Sequence, residues 1–341
     1  MKTNCLINGG TFPRKNNVTI FIYIESRYGL FVRGMNKKEF IYQKILNERD
    51  QGHDLRVDLY KKIEKELNCP VISFYTSYEP TAMLEDIDVD MLERLASITD
   101  LSKGIALVIN SPGGNILAAD RMIKTLREYS GTRKYLAIVP KMAMSAATVA
   151  CLGSSEIIMA PTSTLGPIDP QIVEYNHKTR TRERFSVFNV LTSYKKIFNK
   201  SINADAKKQN LEPYLRALES YNPKKIEEYK SYMDLSKDIA VKALQTGMLD
   251  GDSEDDILKK IDVFITPTKT KIHERYIYAS DVKNCGLNVN IVDVNSKLWK
   301  LISELNMRIE ISSPGTANMI ETKEHPFSRP LDEEDDGDDD S

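Results

Sequence analysis

An alternation of apolar, strand-like runs and helical runs between residues 71 and 159 is the feature that most restricts how this chain can fold. Runs rich in Val, Ile and Leu, such as 104–109 and 135–139, alternate with helical runs such as 115–129. Strands and helices that take turns at this spacing are typical of a parallel sheet covered by helices. The pattern therefore predicts an α/β fold.

The predicted elements continue beyond this region. Residues 185–260 have a mainly helical pattern, and a last strand at 287–292 precedes a last helix at 296–307. The predicted elements of the alternating region are, in order, strand 71–75, helix 88–98, strand 104–109, helix 115–129, strand 135–139, helix 145–152 and strand 156–159.

Changes in composition divide the chain into four predicted parts. Residues 1–35 are expected to form a poorly ordered or edge-strand leader, and residues 36–69, rich in Lys, Glu and Asp, a loosely packed helical arm. The α/β domain follows at 70–310. Residues 311–341 end in a run of Asp and Glu that repels itself, so a disordered acidic tail is predicted there.

The overall composition excludes several classes of function. The net charge of -2 and the pI near 6.2 do not favour nucleic acid or an anionic membrane as a partner. No run of about 18 apolar residues is present, so no transmembrane segment is predicted. The four cysteines are scattered without a CxxC pair, which argues against a disulfide framework or a zinc site and favours the reducing cytoplasm. No metal or cofactor is predicted.

The strongest local motif is Asn-Ser-Pro-Gly-Gly at residues 110–114, between a predicted strand and a predicted helix. The glycines Gly113 and Gly114 allow a sharp turn in which backbone amides approach a ligand closely. Paired amides of this kind form the oxyanion hole of acyl-transfer enzymes. A strand-to-helix turn without any function is the alternative interpretation.

A serine between small residues follows one strand later. Ser145 lies in Ala-Met-Ser-Ala-Ala at 143–147, at the start of a predicted helix. Small neighbours leave room for a substrate at the hydroxyl, which makes Ser145 a candidate nucleophile, although a serine at this position is also a common helix cap. Ala146 and the glycine pair are the predicted donors of the oxyanion hole.

A serine nucleophile needs a base and a group that orients it. His273, near the predicted final strand, is the favoured histidine, and Asp169, in the rigid Leu-Gly-Pro-Ile-Asp-Pro-Gln segment at 165–171, is the candidate carboxylate. Asp169 is also readily interpreted as an ordinary turn residue before proline. Lys195 and Lys196 are alternative bases, which would require burial and a lowered pKa.

These three motifs, in this order and spacing, resemble the serine dehydrogenase proteinase family, a relative of the Clp protease proteolytic subunit and of signal-peptide peptidase A. A looser similarity extends over residues 273–287. The resemblance implies a crotonase-like or Clp-peptidase-like spiral of ββα units with a parallel sheet. It implies a Ser, Asp, His triad at Ser145, Asp169 and His273. The related signal-peptide peptidases use a lysine base instead, which keeps the lysine alternative open.

Three functions are compatible with these features. The favoured one is a serine endopeptidase that cleaves peptide or protein substrates through an acyl-enzyme at Ser145. The alternatives are a crotonase-like enzyme that acts on acyl-thioesters, and a non-catalytic oligomeric scaffold of the same fold. The chain has no GxxxxGK[ST] loop, so an ATP-dependent unfoldase would be a separate partner. Families of this type lead us to expect a homo-oligomer.

Overall fold

The computed structural model describes residues 21–24, 30–33, 45, 52–79, 81–176, 181–266, 276–313 and 315–331. The chain divides into two compact units, residues 1–48 and 49–341. In the first unit, β1 (Phe21–Ile24) and β2 (Leu30–Arg33) form an antiparallel hairpin. The remainder of the predicted leader, at 1–20, 25–29 and 34–35, lies outside the described residues.

The second unit contains the alternating elements. Its strands are β3 (Val71–Thr76), β4 (Ile105–Asn110), β5 (Tyr135–Val139), β6 (Met142–Ala143), β7 (Glu156–Met159), β8 (Thr164–Leu165), β9 (Gln171–Asn176), β10 (Thr181–Ser186), β11 (Ile277–Tyr278), β12 (Val289–Ile291), β13 (Thr316–Glu321) and β14 (Pro326–Pro330). Its helices are α1 (Asp54–Leu67), α2 (Asp86–Ile98), α3 (Ile116–Tyr129), α4 (Ala146–Leu152), α5 (Val187–Ala206), α6 (Glu212–Glu219), α7 (Pro223–Gln245), α8 (Glu254–Lys260), α9 (Asp262–Ile265), α10 (Ala279–Asn284) and α11 (Lys297–Ser312).

The main sheet is largely parallel. Within the described part of the chain it has seven strands in the order β12-β7-β5-β4-β3-β13-β14. The first five are parallel to one another, whereas β13 pairs antiparallel with β3 and with the edge strand β14. A smaller sheet in the order β11-β8-β6 lies beside it, and β9 pairs with β10 as a hairpin. The predicted α/β fold with a parallel sheet is confirmed.

Both faces of the main sheet are covered, which explains the continuous apolar runs in its strands. In β4, Leu107 and Ile109 belong to the core cluster that includes residues of α2, α3 and α4. The intervening Val108 belongs to the cluster formed with α1 and α11, which includes Trp299. Because successive strand residues point to opposite faces, every residue of β4 is buried.

The helix α1 is part of the main unit, which differs from the predicted loose arm at 36–69. Tyr60 and Ile63 are fully buried, and they pack in one cluster with Trp299 and Ile302 of α11. Apart from the buried Arg56, the charged residues of α1 lie mainly on its solvent-facing side. Residues 36–51, apart from Ile45, lie outside the described residues.

The hairpin β13-β14 differs from the disordered tail predicted from residue 311. Glu321, at the end of β13, forms a buried ion pair with Arg56 of α1 at 2.7 Å. Arg329, on β14, pairs with the fully buried Asp88 of α2 at 3.0 Å. The partners of both pairs lie far away in the chain, so the local composition around residue 320 does not reveal that these charges are buried. The acidic run at 332–341 lies outside the described residues.

The helical region predicted at 185–260 contains α5 to α8. The C-terminal part of α7 contributes Ile239, Ala240 and Leu244 to the main core. The other end of α7 packs with α5 in a small separate cluster through Val187, Ile226 and Tyr229. Among the described helices, none is both long enough and apolar enough to cross a membrane.

Replacing Arg56 by methionine should lower the free energy of unfolding by about 3–5 kcal/mol, because the buried Glu321 carboxylate would lose its cation. Arg216→Met is the control, since Arg216 pairs with Glu212 at 2.9 Å on the surface with 75% of its side chain exposed. This exposed pair should contribute little. Urea denaturation followed by circular dichroism measures the free energy of unfolding of both variants. Equal decreases in the two variants would contradict the larger contribution assigned to the buried pair.

Candidate active site

Ser145 lies in a sharp turn between β6 and α4. Its backbone angles are φ 51° and ψ -119°, a conformation that residues with a side chain rarely adopt. The serine stands at the N-cap position, but its side chain makes no capping hydrogen bond. The hydroxyl is therefore not used to cap α4, which was the alternative interpretation of this residue.

Hydrogen bonds attach this turn to the end of β4. The Ser111 amide donates to Met142 O at 3.0 Å, and the Met144 amide donates to Ser111 O at 3.0 Å. Ser111 and Ala143 thereby form a parallel bridge. The residue before Ser145 is thus fixed to the strand that leads into the glycine pair.

The glycine loop packs directly against the serine turn. Gly113 has φ +104°, and a Cβ atom added there would lie 2.5 Å from Met144 O and 2.9 Å from Ser145 Cβ. Gly114 has φ +155°, and a Cβ atom there would lie 2.9 Å from Leu84 Cα and would overlap the Leu84 amide nitrogen. Only glycine fits at these two positions because backbone or Cβ atoms already occupy the space a side chain would need.

The amides of the glycine pair differ in their partners. The Gly113 amide donates to the hydroxyl of Ser111 at 3.1 Å. In the described part of the chain, no hydrogen bond is found for the Gly114 amide. Ala146 N would lie 3.2 Å from a Cβ added at Gly113, so the first amide of α4 borders the same loop.

Thr148 joins α4 to the segment that carries Asp169. Its buried hydroxyl lies 2.8 Å from Ala143 O and 3.0 Å from Gly166 O, and it accepts a hydrogen bond from the Gly166 amide at 3.0 Å. A Cβ added at Gly166 would lie 2.5 Å from the end of the Met144 side chain. The segment at 165–171 is therefore packed beside the serine turn.

Asp169 is buried at the edge of the same site. The residue is only 1% exposed, and its Oδ1 accepts a hydrogen bond from the Phe188 amide at 3.3 Å. The residues on either side of it, Ile168 and Pro170, line the cleft that contains Ser145. Asp169 is thus close to the cleft in the chain and is shielded from solvent.

The cleft has a volume of about 410 Å³ and combines apolar and charged walls. At one side, the Lys225 ammonium lies 2.6 Å from Glu174 Oε1, and the Tyr229 hydroxyl donates to the same oxygen at 3.1 Å. The lining residues are Gly114, Asn115, Ile116, Ser145, Ile168, Pro170, Gln171, Ile172, Glu174, Lys225, Glu228, Tyr229, Tyr232, Leu235 and Ser236.

This charged group was not among the sequence predictions. The hydrogen bond from Lys225 lowers the pKa of Glu174, and the same bond raises the pKa of Lys225. Lys225 is therefore held protonated and is a poor general base. Its spacing of four residues from Tyr229 on α7 was a signal that both share a helix face, although the sequence alone does not tell which surface that face meets.

Neither of the predicted bases in the described part of the chain lies at the cleft. Lys195 and Lys196 are exposed on α5, and neither lines the cleft with Ser145. A lysine base requires burial to lower its pKa, which an exposed position does not supply. His273 lies outside the described residues. Within the described part of the chain, no group of three or more His, Cys, Asp or Glu side chains is arranged to hold a metal ion.

Similar proteins include two uncharacterized proteins of Methanocaldococcus jannaschii. MJ0137 is 36% identical and MJ1495 is 35% identical, each over 88 residues, or 26% of this chain. The match spans 30% of the length of each of these relatives. A solved structure, the 1510-N membrane-bound stomatin-specific protease with an alanine mutation, aligns with a TM-score of 0.27 and 17% identity, covering 43% of this chain and 68% of that chain.

A family model described as ClpP-like SDH-type serine proteinase matches residues 47–184. This region includes the glycine loop, the turn at Ser145 and the segment with Asp169. The resemblance predicted from the three motifs is thereby confirmed. Residues 47–184 of this chain are therefore similar to the ClpP-like SDH-type serine proteinase family.

Proposed function

We propose that this protein is a serine peptidase that cleaves peptide bonds through an acyl-enzyme at Ser145. The observation that carries the proposal is the contact between the two motifs, in which a Cβ atom at Gly113 would lie 2.9 Å from Ser145 Cβ. A nucleophile and backbone amides are thus adjacent at the wall of one cleft. That combination is what acyl transfer requires.

In the proposed reaction, Ser145 Oγ attacks the scissile carbonyl and transfers its proton to a base. The tetrahedral oxyanion is stabilised by the amides of Gly114 and Ala146. When it collapses, the C–N bond breaks, the base protonates the leaving amine, and an ester to Ser145 remains. Water then hydrolyses this ester and regenerates the hydroxyl.

Gly114 rather than Gly113 is the proposed donor from the loop. The Gly113 amide already donates to Ser111 Oγ at 3.1 Å, which supports a structural role for that amide. Gly113 contributes by its small size, because any side chain there would collide with Met144 O. Ala146 is the second donor, since the first amides of a helix have no partner within the helix.

Asp169 and His273 complete the proposed triad. The burial of Asp169 and its position between two cleft-lining residues support a carboxylate that orients an imidazole. The assignment of His273 rests on the family resemblance. The exposed positions of Lys195 and Lys196 speak against the lysine alternative.

We further propose that the protein acts in the cytoplasm as a homo-oligomer and that any ATP-dependent unfolding of substrates is done by a separate partner. Cys69 and Cys151 are buried free thiols, which is compatible with a reducing compartment. The oligomer and the unfoldase are expectations from the resemblance alone.

A fluorophosphonate probe should label the wild-type protein and leave Ser145→Ala unlabelled, because only an activated serine hydroxyl displaces fluoride from phosphorus. Ser97→Ala, which removes an exposed hydroxyl on α2, is the matched control and should label like the wild type. Intact-protein mass spectrometry measures the adduct. If the folded wild type forms no adduct that depends on Ser145, the scaffold or acyl-thioester alternative replaces the peptidase.

The labelling rate should fall strongly in His273→Ala and change little in Lys195→Ala and Lys196→Ala. An unperturbed imidazole titrates at about pH 6.5 and accepts a proton only when neutral, so the wild-type rate should decrease as the pH falls below that range. Labelling rates of the wild type and the three variants, measured from about pH 5 to about pH 9, test the effect of each substitution and the pH dependence. Loss of labelling in either lysine variant, with His273→Ala still active, would indicate a Ser and Lys dyad.

The backbone conformation of Ser145 gives a prediction about stability. A non-glycine residue in a sparsely populated region costs on the order of 1–3 kcal/mol, so Ser145→Gly should raise the free energy of unfolding by about 1 kcal/mol after the entropy cost of glycine. Ser296→Gly is the control, because Ser296 caps α11 by accepting from the Trp299 amide with an ordinary φ of -60°. That variant should be slightly destabilised. If urea denaturation shows that Ser145→Gly is less stable than the wild type, the backbone strain inferred at Ser145 is contradicted.

A further inference from the structure

The segment around Leu84 lies between the glycine loop and the C-terminal hairpin. On one side, the Leu84 amide donates to Gly113 O at 2.9 Å, and the Asn115 amide donates to Leu84 O at 2.8 Å. Leu84 and Gly114 thus form a parallel bridge. A Cβ atom at Gly114 would overlap both N and O of Leu84, so the two backbones are in direct contact.

This contact determines the direction of the Gly114 amide. The peptide bond between Gly113 and Gly114 is planar and trans, so its N–H points opposite to its C=O. Since Gly113 O is held by the Leu84 amide, the Gly114 N–H points away from Leu84. A displacement of Leu84 would rotate this peptide and turn the proposed oxyanion donor.

On its other side, the segment is held by the hairpin β13-β14. Met83 O accepts two hydrogen bonds, from Arg329 Nη2 at 2.8 Å and from Asn318 Nδ2 at 2.8 Å. Both donors also bind Asp88, with Arg329 Nε 3.0 Å from Oδ1 and Asn318 Nδ2 2.5 Å from Oδ2. The Glu85 amide donates to Asp88 Oδ2 at 2.8 Å. The hairpin therefore holds the backbone directly at Met83, while its partner Asp88 holds the backbone at Glu85.

The network is buried, which makes its geometry strict. Asp88 is fully buried and the Arg329 side chain is only 9% exposed, so a broken contact is not readily replaced by water. Buried ion pairs often add little stability compared with apolar side chains, but removal of one partner leaves the other charge buried and uncompensated. The network thus constrains the position of Met83 O and, through it, the bridge between Leu84 and Gly114.

We infer that Arg329 is a positioning residue for the proposed oxyanion loop, acting through Met83 and Leu84 on the direction of the Gly114 amide. The inference rests on the proposed function, in which that amide stabilises the transition state. The hairpin lies outside residues 47–184, so the family match does not assign it this role.

Arg56 provides a matched control for Arg329. It also ties the hairpin to a helix by a buried ion pair, with Glu321 at 2.7 Å and only 4% of its side chain exposed. Its other hydrogen bonds go to Gly52 O and Ser312 Oγ, so it does not contact the Leu84 segment. Replacing either arginine should weaken the hairpin, but only Arg329 should affect the glycine loop.

The test compares saturation kinetics of fluorophosphonate labelling at Ser145 for wild type, Arg329→Met and Arg56→Met. The labelled end point reports the folded fraction, and kinact reports the site in each folded molecule. Loss of a whole oxyanion donor costs about 10²–10³-fold, so a misdirected one should lower kinact roughly tenfold or more with KI nearly unchanged. Arg56→Met should keep the wild-type kinact.

If either methionine variant does not fold, Arg329→Lys and Arg56→Lys are compared instead, since lysine keeps the charge but not the bond to Met83 O.

Hydrogen exchange supplies a second measurement that does not need activity. The Asn115 amide, which donates to Leu84 O, should exchange at least several-fold faster in Arg329→Met or Arg329→Lys than in the matching Arg56 variant. Equal kinact and equal exchange in the matched variants would overturn the inference. A wild type that is not labelled would overturn the proposed function, and with it the effect of Arg329 on the reaction. Hydrogen exchange would still decide whether Arg329 holds the loop.

Discussion

The site depends on the close packing of three backbone segments. Leu84, the glycine pair and the turn at Met144 and Ser145 approach so closely that a Cβ atom on either glycine would overlap its neighbours. Each segment follows a different part of the fold: Leu84 precedes α2, the glycines join β4 to α3, and Ser145 begins α4. Because a parallel sheet brings the carboxyl ends of its strands to one edge, such loops can meet there. Glycine at residues 113 and 114 is what allows them to touch.

Much of this arrangement was readable from the sequence because it follows from local patterns. The continuous apolar runs of β4 and β5 arise from burial on both faces, and they predicted a parallel sheet. Two consecutive glycines after a proline signalled a close backbone approach, and small residues around Ser145 signalled an open position beside it. These features belong to neighbouring residues, so a single pass along the chain detects them. The roles of Asp169 and His273 in the reaction remain predictions.

The rest depends on contacts between distant parts of the chain, which no local pattern encodes. A charged stretch after residue 311 has the composition of a tail, yet Arg329 is buried because Asp88 is available on α2, 241 residues away. In α1, likewise, the many charged residues give no local sign that Tyr60 is buried. Glu174, Lys225 and Tyr229 meet at the cleft only because α7 contacts Glu174 of β9 there. The sequence contains each of these residues but does not show which distant residue each one contacts.

The hairpin β13-β14 is synthesised after the loops of the site that it is inferred to position. The ribosome delivers Leu84, the glycine pair and Ser145 well before Asn318 and Arg329, so a nascent chain contains Ser145 before the strands that hold Met83 O. Under the role inferred for Arg329, the amide of Gly114 takes its final direction only once this hairpin has joined the sheet. Docking of the hairpin would then make maturation of the site a late event in folding, and an incomplete chain would be a poor peptidase while still at the ribosome.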